Sequence, residues 1–190
     1  YSTSKIPSGN NMSYLNRDRA GHEIIGFFDE QNNTTYRYFS FGEVSPVVGT
    51  LPNHRNLINL NFGPMNFNQY TKDGSHFFEG CTNLTFNNYS GNLALPKCFT
   101  NMYKTFKDCT SFNKEIDIDI NVTNTVSMFE NCNSFDKDVT IPSKVTNTHN
   151  MFYGIKNFNS NVTIYRLSQT TDMSRMFFGC ETLNKVFVIS

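Results

Sequence analysis

Cysteine is the residue type here whose spacing is most informative, because thiolates bind zinc, form disulfides and act as nucleophiles. The chain contains Cys81, Cys98, Cys109, Cys132 and Cys180. All except Cys98 follow a Phe at i+3, and Ile155 stands at the same place after Phe152. A position that also accepts an aliphatic side chain does not depend on thiol chemistry. With no Cys-x-x-Cys pair and an odd number of cysteines, the sequence predicts reduced, buried thiols at that position rather than zinc ligands or disulfides.

The histidines and acidic residues form no recognisable catalytic group. The histidines are scattered, at His22, His54, His76 and His149. Asp73 and His76 lie close in sequence, but no nucleophile is in register with them. Neither a Gly-rich phosphate loop nor an HExxH pair is present. The sequence therefore predicts a protein that is not an enzyme and that needs no cofactor.

Two acidic residues suggest a calcium site and do not complete one. Asp117 and Asp119 alternate along one predicted strand, so their carboxylates project on the same side. Calcium requires about six or more oxygen ligands, and two alternate acids on a strand are more often a solvated face. We expect no metal site.

A repeat positions these residues. "VTNTVSMFENCNSFDKDV" begins at Val122, and "VTNTHNMFYGIKNFNSNV" begins at Val145, so the repeat offset is 145 − 122 = 23. The Phe-x-x-Cys anchor recurs through the second half of the chain, with its Phe at Phe78, Phe106, Phe129, Phe152 and Phe177. A period of this length is typical of a solenoid, in which each unit buries its apolar face only against its neighbours.

Each unit has two halves. The first is a short strand whose alternating aliphatic residues point inward, such as Val139 and Ile141 or Val162 and Ile164. The second is the Met-Phe-x-x-Cys segment, whose i, i+3 spacing matches one face of a helical turn. The predicted fold class is a repeat solenoid with short parallel β-strands on one face and turns and short helical segments opposite. It spans residues 56–190, with about five repeats and a truncated sixth.

Residues 1–55 lack the repeat. Ile24 to Phe28 and the alternating residues from Tyr36 to Phe41 flank a polar turn, the pattern of a β-hairpin. "SPVVGTLPNH" then interrupts the pattern with Pro and Gly. A solenoid needs a cap over its first core edge, so we expect residues 1–55 to be a β-rich cap or linker segment.

The repeats resemble a known family. "SFDKDVTIPSKVTNTHNMFYGIKNF" is similar to the BspA-like (Treponema-type) leucine-rich repeat, with its strand ending in Ile-Pro and its aromatic-Gly-Cys element. "TTDMSRMFFGCETL" resembles the related bacterial surface-protein repeat of about 26 residues, with its Thr-Asp-Met-Ser-x-Met-Phe-x-x-Cys core. The resemblance runs from about Leu57 to Ser190 and departs at Ile155 and where Phe replaces family Leu. It implies that the solenoid is leucine-rich-repeat-like and that the chain is a surface protein that takes part in adhesion.

Composition excludes some partners. The 190 residues include 16 basic and 16 acidic residues, so the net charge is zero and gives no electrostatic footprint for nucleic acid. No apolar run is long enough to span a bilayer. Phe, with 19 residues, is the dominant large apolar residue, which predicts a core built from Phe.

The outward side chains of the predicted strands form the candidate ligand-binding face. If the strands are parallel, Asp117, Thr140, Thr163 and Val188 form one row, and Glu115, Asp138, Asn161 and Val186 form the next. Asp119 and Tyr165 reach the rim. Acids, hydroxyls and a Tyr on one surface suit hydrogen bonding to a protein or glycan, although a merely solvated sheet face accounts equally well for any single residue. The predicted binding residues are Glu115, Asp117, Asp119, Asp138, Thr140, Asn161, Thr163 and Tyr165.

Two functions fit these features. The first is a cell-surface or extracellular recognition module, an adhesin or receptor-binding domain, that binds a protein or glycan on another cell or particle. The second is a virion component, such as part of a phage fibre, tail or capsid decoration. The second is suggested by the missing initiator Met and by a last strand, Leu183 to Ile189, that no covering repeat follows. We expect that edge to pair with further repeats or with a partner chain.

Overall fold

The computed structural model describes both backbone and side chains for residues 74–87, 90–93, 95, 97, 99–165 and 172–185. For residues 11–14, 25–29, 34–38, 59–61, 94 and 188–189 it describes the backbone alone. Cys98, Asp73 and Val186 lie outside the described residues, as do His22 and His54.

The N-terminal strands form a sheet of their own. It has four strands, β1 (Asn11–Tyr14), β2 (Ile25–Asp29), β3 (Thr34–Tyr38) and β4 (Asn59–Asn61), in the order β3-β2-β1-β4. β2 and β3 pair antiparallel from Ile25↔Tyr38 to Asp29↔Thr34, across the segment where the sequence predicts a hairpin. β1 pairs antiparallel with β2 and parallel with β4, so this sheet includes residues beyond position 55.

The repeats contribute short parallel strands. These are β5 (Leu93–Ala94), β6 (Ile116–Asp117), β7 (Val139–Ile141), β8 (Val162–Ile164) and β9 (Val188–Ile189). β5 pairs with β6, and β7, β8 and β9 pair in that order. The partners Val139 and Val162 differ in position by 162 − 139 = 23, which is the offset of the sequence repeat. Val139, Ile141, Val162 and Ile164 are buried, as strand alternation requires.

The Phe-x-x-Cys segments are turns, and no helix occurs in the described part of the chain. This differs from the short helical segments that the i, i+3 spacing suggests. Backbone amides here donate to the next repeat: those of Met102, Lys104, Phe106 and Asp108 bond to carbonyls of residues 124, 126, 128 and 130 at 2.8–2.9 Å. The same set of four bonds recurs from the segments at Phe78, Phe129 and Phe152. Because lateral bonding satisfies these amides, the segment does not need the internal bonds of a helix.

Two residues in each turn segment adopt a positive φ. One lies two positions before the anchor Phe, at His76, Lys104, Ser127, Asn150 and Arg175. The other lies two positions after it, at Gly80, Asp108, Asn131, Gly154 and Gly179. Gly, Asn and Asp tolerate the left-handed region best, which explains the residue types at the second position. These conformations bend the segment so that its apolar side chains turn inward.

Two columns of Phe rings fill the core. The anchor rings of Phe78, Phe106, Phe129, Phe152 and Phe177 lie beside one another with centroids 5.2, 5.7, 5.6 and 5.3 Å apart. The second column contains Phe112, Phe135 and Phe158, spaced 5.7 and 6.2 Å apart. Within one repeat the two rings are closer, at 4.4 Å for Phe129 and Phe135. Each central ring therefore contacts its own repeat and both neighbours, with geometry suited to offset stacking.

Asn and Asp side chains form two further ladders, of which the first bonds within each turn and the second bonds between repeats. Asn101, Asn124, Asn147 and Asp172 occupy equivalent places, and the Oδ1 of each accepts the amide two positions later. In the second ladder, Oδ1 of Asn113, Asp136 and Asn159 accepts an amide of the following repeat at 3.0, 2.8 and 3.0 Å. The polar composition of the chain thus has a structural use, because these side chains satisfy backbone groups of the turns.

Candidate functional site

Three of the outward positions lie in register on the paired strands. Thr140 of β7 is opposite Thr163 of β8, and Thr163 is opposite Val188 of β9. Thr140 is exposed and Thr163 is half-buried. Asp117 is not part of that paired row, because β6 pairs with β5 and places Asp117 opposite Ala94.

The row is interrupted between β6 and β7. These strands lie side by side, yet they belong to two separate sheets. A depression of about 500 Å³ occurs at this junction, lined by Asn92, Glu115, Ile116, Asp117, Ile118, Asp138 and Thr140. Four of the predicted binding residues, Glu115, Asp117, Asp138 and Thr140, therefore surround one concave feature.

Hydrogen bonds hold two of the carboxylates at the depression. The Asn92 amide donates its Nδ2 hydrogen to Asp117 Oδ1 at 2.9 Å. Asp138 Oδ1 accepts from the backbone amide of Asn161 at 2.8 Å, and both Asp138 oxygens accept from Asn161 Nδ2. Hydrogen bonds from the Asn161 side chain and backbone lower the pKa of Asp138 from its ordinary value, with a smaller contribution from Lys185. Glu115 is exposed and lines the same depression.

The remaining predicted residues lie outside the depression. Asp119 Oδ1 accepts the Asn121 amide at 2.9 Å, so its carboxylate closes a local turn. Tyr165 is 46% exposed, and its backbone amide donates to the Ile141 carbonyl. Asn161 is exposed, but its side-chain amide bonds Asp138. The structure thus separates these side chains into a group at the depression and a group that serves turns, ladders or the rim.

Three residues that line the depression were not among the predicted binding residues. Ile116 is buried in the core and Ile118 is half-buried, so Ile118 is the residue of this pair that gives the depression apolar side-chain surface. Asn92 belongs to the repeat with the irregular insertion, where the alignment of the repeats is interrupted. Asn92 immediately precedes Leu93, which pairs with Ile116, and this position was the feature that could have identified it as a residue of the depression.

The thiols are buried or half-buried, and none is disulfide-bonded among the four described cysteines. Cys81, Cys109 and Cys132 are buried, and burial raises the pKa of each thiol well above its ordinary value. Cys180 is half-buried, and burial raises its pKa to about 11. The Cys109, Cys132 and Cys180 sulfurs donate to the carbonyls of Phe78, Phe106 and Phe152 in the preceding repeat. Each of these three thiols thus bridges two repeats, and the high pKa disfavours the reactive thiolate.

The two described histidines make local contacts. His76 Nδ1 bonds Glu79, and His149 Nδ1 lies 2.6 Å from Ser174 Oγ. Within the described ranges no set of three or more His, Cys, Asp or Glu side chains is placed to hold a metal ion. No helix in those ranges has the length and apolar character needed to cross a membrane.

A second exposed cluster lies on the turn segments. The Tyr153 and Phe178 rings stack with centroids 5.3 Å apart, and Phe178 remains 59% exposed. The Arg175 guanidinium lies 5.0 Å from the Tyr153 centroid and 5.2 Å from that of Phe178. The three side chains therefore stabilise one another through ring stacking and cation–π contacts.

Comparison with known proteins finds a family match for the repeats and none for the N-terminal sheet. Neither a curated protein nor a solved structure matches the chain. One family model does match, over residues 72–188, which cover well over half of the sequence and include β5 to β8 with all five turn segments. The chain therefore belongs to the family described as Mycoplasma protein of unknown function, DUF285.

Proposed function

We propose that this protein is a non-enzymatic recognition module, built as a leucine-rich-repeat-like solenoid, that acts at the cell surface or outside the cell. Its ligand is a protein or glycan on another cell or particle. The ligand binds to the outward face of β5 to β8. The depression at the β6–β7 junction is the observation that carries this proposal, because it brings exposed acids and a hydroxyl together in a concave place.

The different roles of inward and outward side chains support the proposal. Inward side chains are committed to the core, as with Val139 and Ile141, which are almost fully buried. Outward side chains at equivalent places change from Asp117 to Thr140 to Thr163. A face that the core does not constrain can vary from repeat to repeat, and repeat proteins commonly bind ligands on such extended surfaces.

A binding screen tests the proposal directly. The full chain is immobilised and exposed to extracellular-matrix proteins and to a glycan array, and any ligand is measured again with the double variant Asp117→Ala, Tyr165→Ala. We expect binding to fall at least about tenfold, because a rim aromatic and a carboxylate of the face are removed together.

A matched variant controls for loss of charge and aromatic area. Glu181→Ala with Phe178→Ala removes one exposed acid and one exposed aromatic from the turn segments instead. We expect it to leave ligand binding unchanged. Equal losses from the two double variants, or binding that survives the sheet-face variant, would exclude this face as the recognition surface.

A further inference from the structure

The depression at the β6–β7 junction has a chemistry that narrows the choice of ligand, and the inference below rests on the proposed function. Glu115, Asp117 and Asp138 contribute a formal charge of −3 to its lining, in a chain whose net charge is zero. No basic side chain is among its described lining residues. Lys185 acts on Asp138 from outside the depression.

The apolar surface and the size of the depression add a second requirement. Ile118, which is half-buried, contributes aliphatic surface to the lining, whereas the Ile116 side chain is buried in the core, and Asn92 and Thr140 complete the lining. A volume of about 500 Å³ lies within the range of about 300–1,000 Å³ typical of small-molecule pockets, so one or two side chains fit. An occupant that matches both features has an apolar stem and a cationic end.

We propose that the depression receives a Lys or Arg side chain from a basic segment of a protein partner. The methylene stem of such a side chain packs against aliphatic surface while its charged end remains at the polar rim. Asn92 and Asn161 fix the Asp117 and Asp138 carboxylates before binding, which reduces the ordering that the complex requires. The exposed Glu115 carboxylate supplies a further acceptor.

This chemistry favours a basic protein segment over a neutral glycan. Sugars stack their apolar faces on aromatic rings, and no aromatic side chain is among the described residues that line the depression. Hydroxyl groups also leave the three negative charges uncompensated. A cationic side chain compensates them and provides electrostatic complementarity, which governs partner choice and association rate.

The experiment uses the full chain with amide nitrogens labelled for NMR. The probe is a short acetylated and amidated peptide of alternating Lys and Thr, and its control is the same peptide with Gln in place of Lys. We expect the Lys peptide to shift the amide signals of residues 92, 115–118 and 138–140 and the Gln peptide to leave them unchanged. We also expect the affinity to fall with added salt, since exposed charges are screened over about 8 Å at physiological ionic strength.

Matched isosteric variants locate the charge effect. Glu115→Gln with Asp117→Asn removes two charges from the depression, while Glu181→Gln with Asp136→Asn removes two exposed charges elsewhere. In both pairs the replacing amide oxygen can still accept a hydrogen bond. The first pair should weaken Lys-peptide binding about tenfold, and the second should change it less than about twofold.

The outcomes separate this inference from the proposed function. Equal effects of the two variant pairs, shifts spread over exposed acids throughout the chain, or equal binding of the Gln peptide would overturn the cationic-pocket inference. The cationic-pocket inference would also be overturned if neither peptide shifted any amide signal. If a ligand from the screen still depends on Asp117 and Tyr165 in any of these cases, the proposed function stands without the inference. A ligand insensitive to those residues would instead overturn the proposed face.

Discussion

The turn side and the strand side of the repeats are connected in different ways. On the turn side each segment donates four backbone hydrogen bonds to the next, from the segment at Phe78 to the segment at Phe177. On the strand side pairing is interrupted between β6 and β7, and the depression lies at that interruption. The continuous side sets the register of the repeats, and the interrupted side contains the depression to which we assign ligand binding in our proposal.

Side-chain identity follows the same contrast. The turn side repeats the anchor Phe in all five segments, because each central ring must fit between two neighbouring rings. The strand side replaces Asp117 with Thr140 and Thr163 at equivalent places. Structural constraint is therefore strongest in the ring columns and weakest on the outward face, and mutations should show that order in their effects on stability.

The largest expected effect is at the centre of the ring column. Phe129→Ala should lower the free energy of unfolding by about 3–5 kcal/mol, because removing a fully buried ring between Phe106 and Phe152 leaves a cavity. Chemical denaturation followed by circular dichroism measures the loss. Phe178→Ala, at an exposed ring of the same type, should cost less than about 1 kcal/mol. A loss that small at Phe129 would show that the anchor ring is not part of the core.

The next effect tests the backbone of the turn. Gly154 has φ +78°, and an added Cβ would lie 2.5 Å from Asn131 Oδ1. Gly154→Ala should cost about 2–3 kcal/mol, of which about 1–2 kcal/mol comes from the left-handed conformation. Gly91→Ala measures the cost of the left-handed conformation alone, since Gly91 has φ +82° and nothing lies within 4 Å of an added Cβ.

Removing the contact partner sharpens this test. Asn131 has φ 59°, a conformation that Gly adopts readily. Gly154→Ala should destabilise the protein more than Gly91→Ala does, because of the contact with Asn131. Adding Asn131→Gly to the Gly154→Ala variant should restore that difference in the free energy of unfolding. Equal losses at Gly154 and Gly91, with no recovery, would show that the neighbouring repeat does not approach as closely as the structure indicates.

The sequence contains more information about the core than about the turns. Phe129 and Phe152 are one repeat apart in the sequence, and their rings are neighbours in the structure. The i, i+3 spacing of Phe and Cys is shared by a helical turn and by the turns observed here, so spacing alone could not choose between them. The distinguishing signal was the Gly, Asn or Asp two positions after each anchor, as at Asn131, because these types tolerate positive φ.

The depression was less accessible to sequence reasoning. A regular period predicts one uninterrupted strand row, and it placed Asp117 with Thr140 and Thr163. The observed interruption depends on how β6 pairs with β5, which lies in the repeat with an irregular insertion. Asn92 could not be assigned a role because the alignment fails at that insertion.

A smaller effect is expected at the thiol position. Cys132→Ala should cost about 1–2 kcal/mol, because it removes both a buried sulfur and the Sγ–H donor to the Phe106 carbonyl. Cys180→Ala should lower the free energy of unfolding by less, because Cys180 is only half-buried. In the native state a thiol reagent should modify Cys180 faster than Cys132, measured in a Cys98→Ser background. Rapid modification of all four cysteines would contradict their burial.

The smallest effect belongs to the outward face, at Asp138. Its carboxylate accepts three hydrogen bonds from Asn161, which lower its pKa, but solvent around this exposed group screens them. Asp138→Ala should therefore cost no more than about 0.5 kcal/mol at neutral pH.

Since the pKa of Asp138 is lower in the folded state, this contribution is present above the unfolded value of about 3.9 and disappears as the pH falls through the folded pKa. Denaturation measured from neutral to acidic pH should show the wild-type and Asp138→Ala curves converging on the acid side. A gap that widens toward acid would contradict the lowered pKa of Asp138. An Asp138 loss as large as that of Phe129→Ala would mean that the outward face contributes as much to stability as the ring columns, and the contrast between the two sides would not hold.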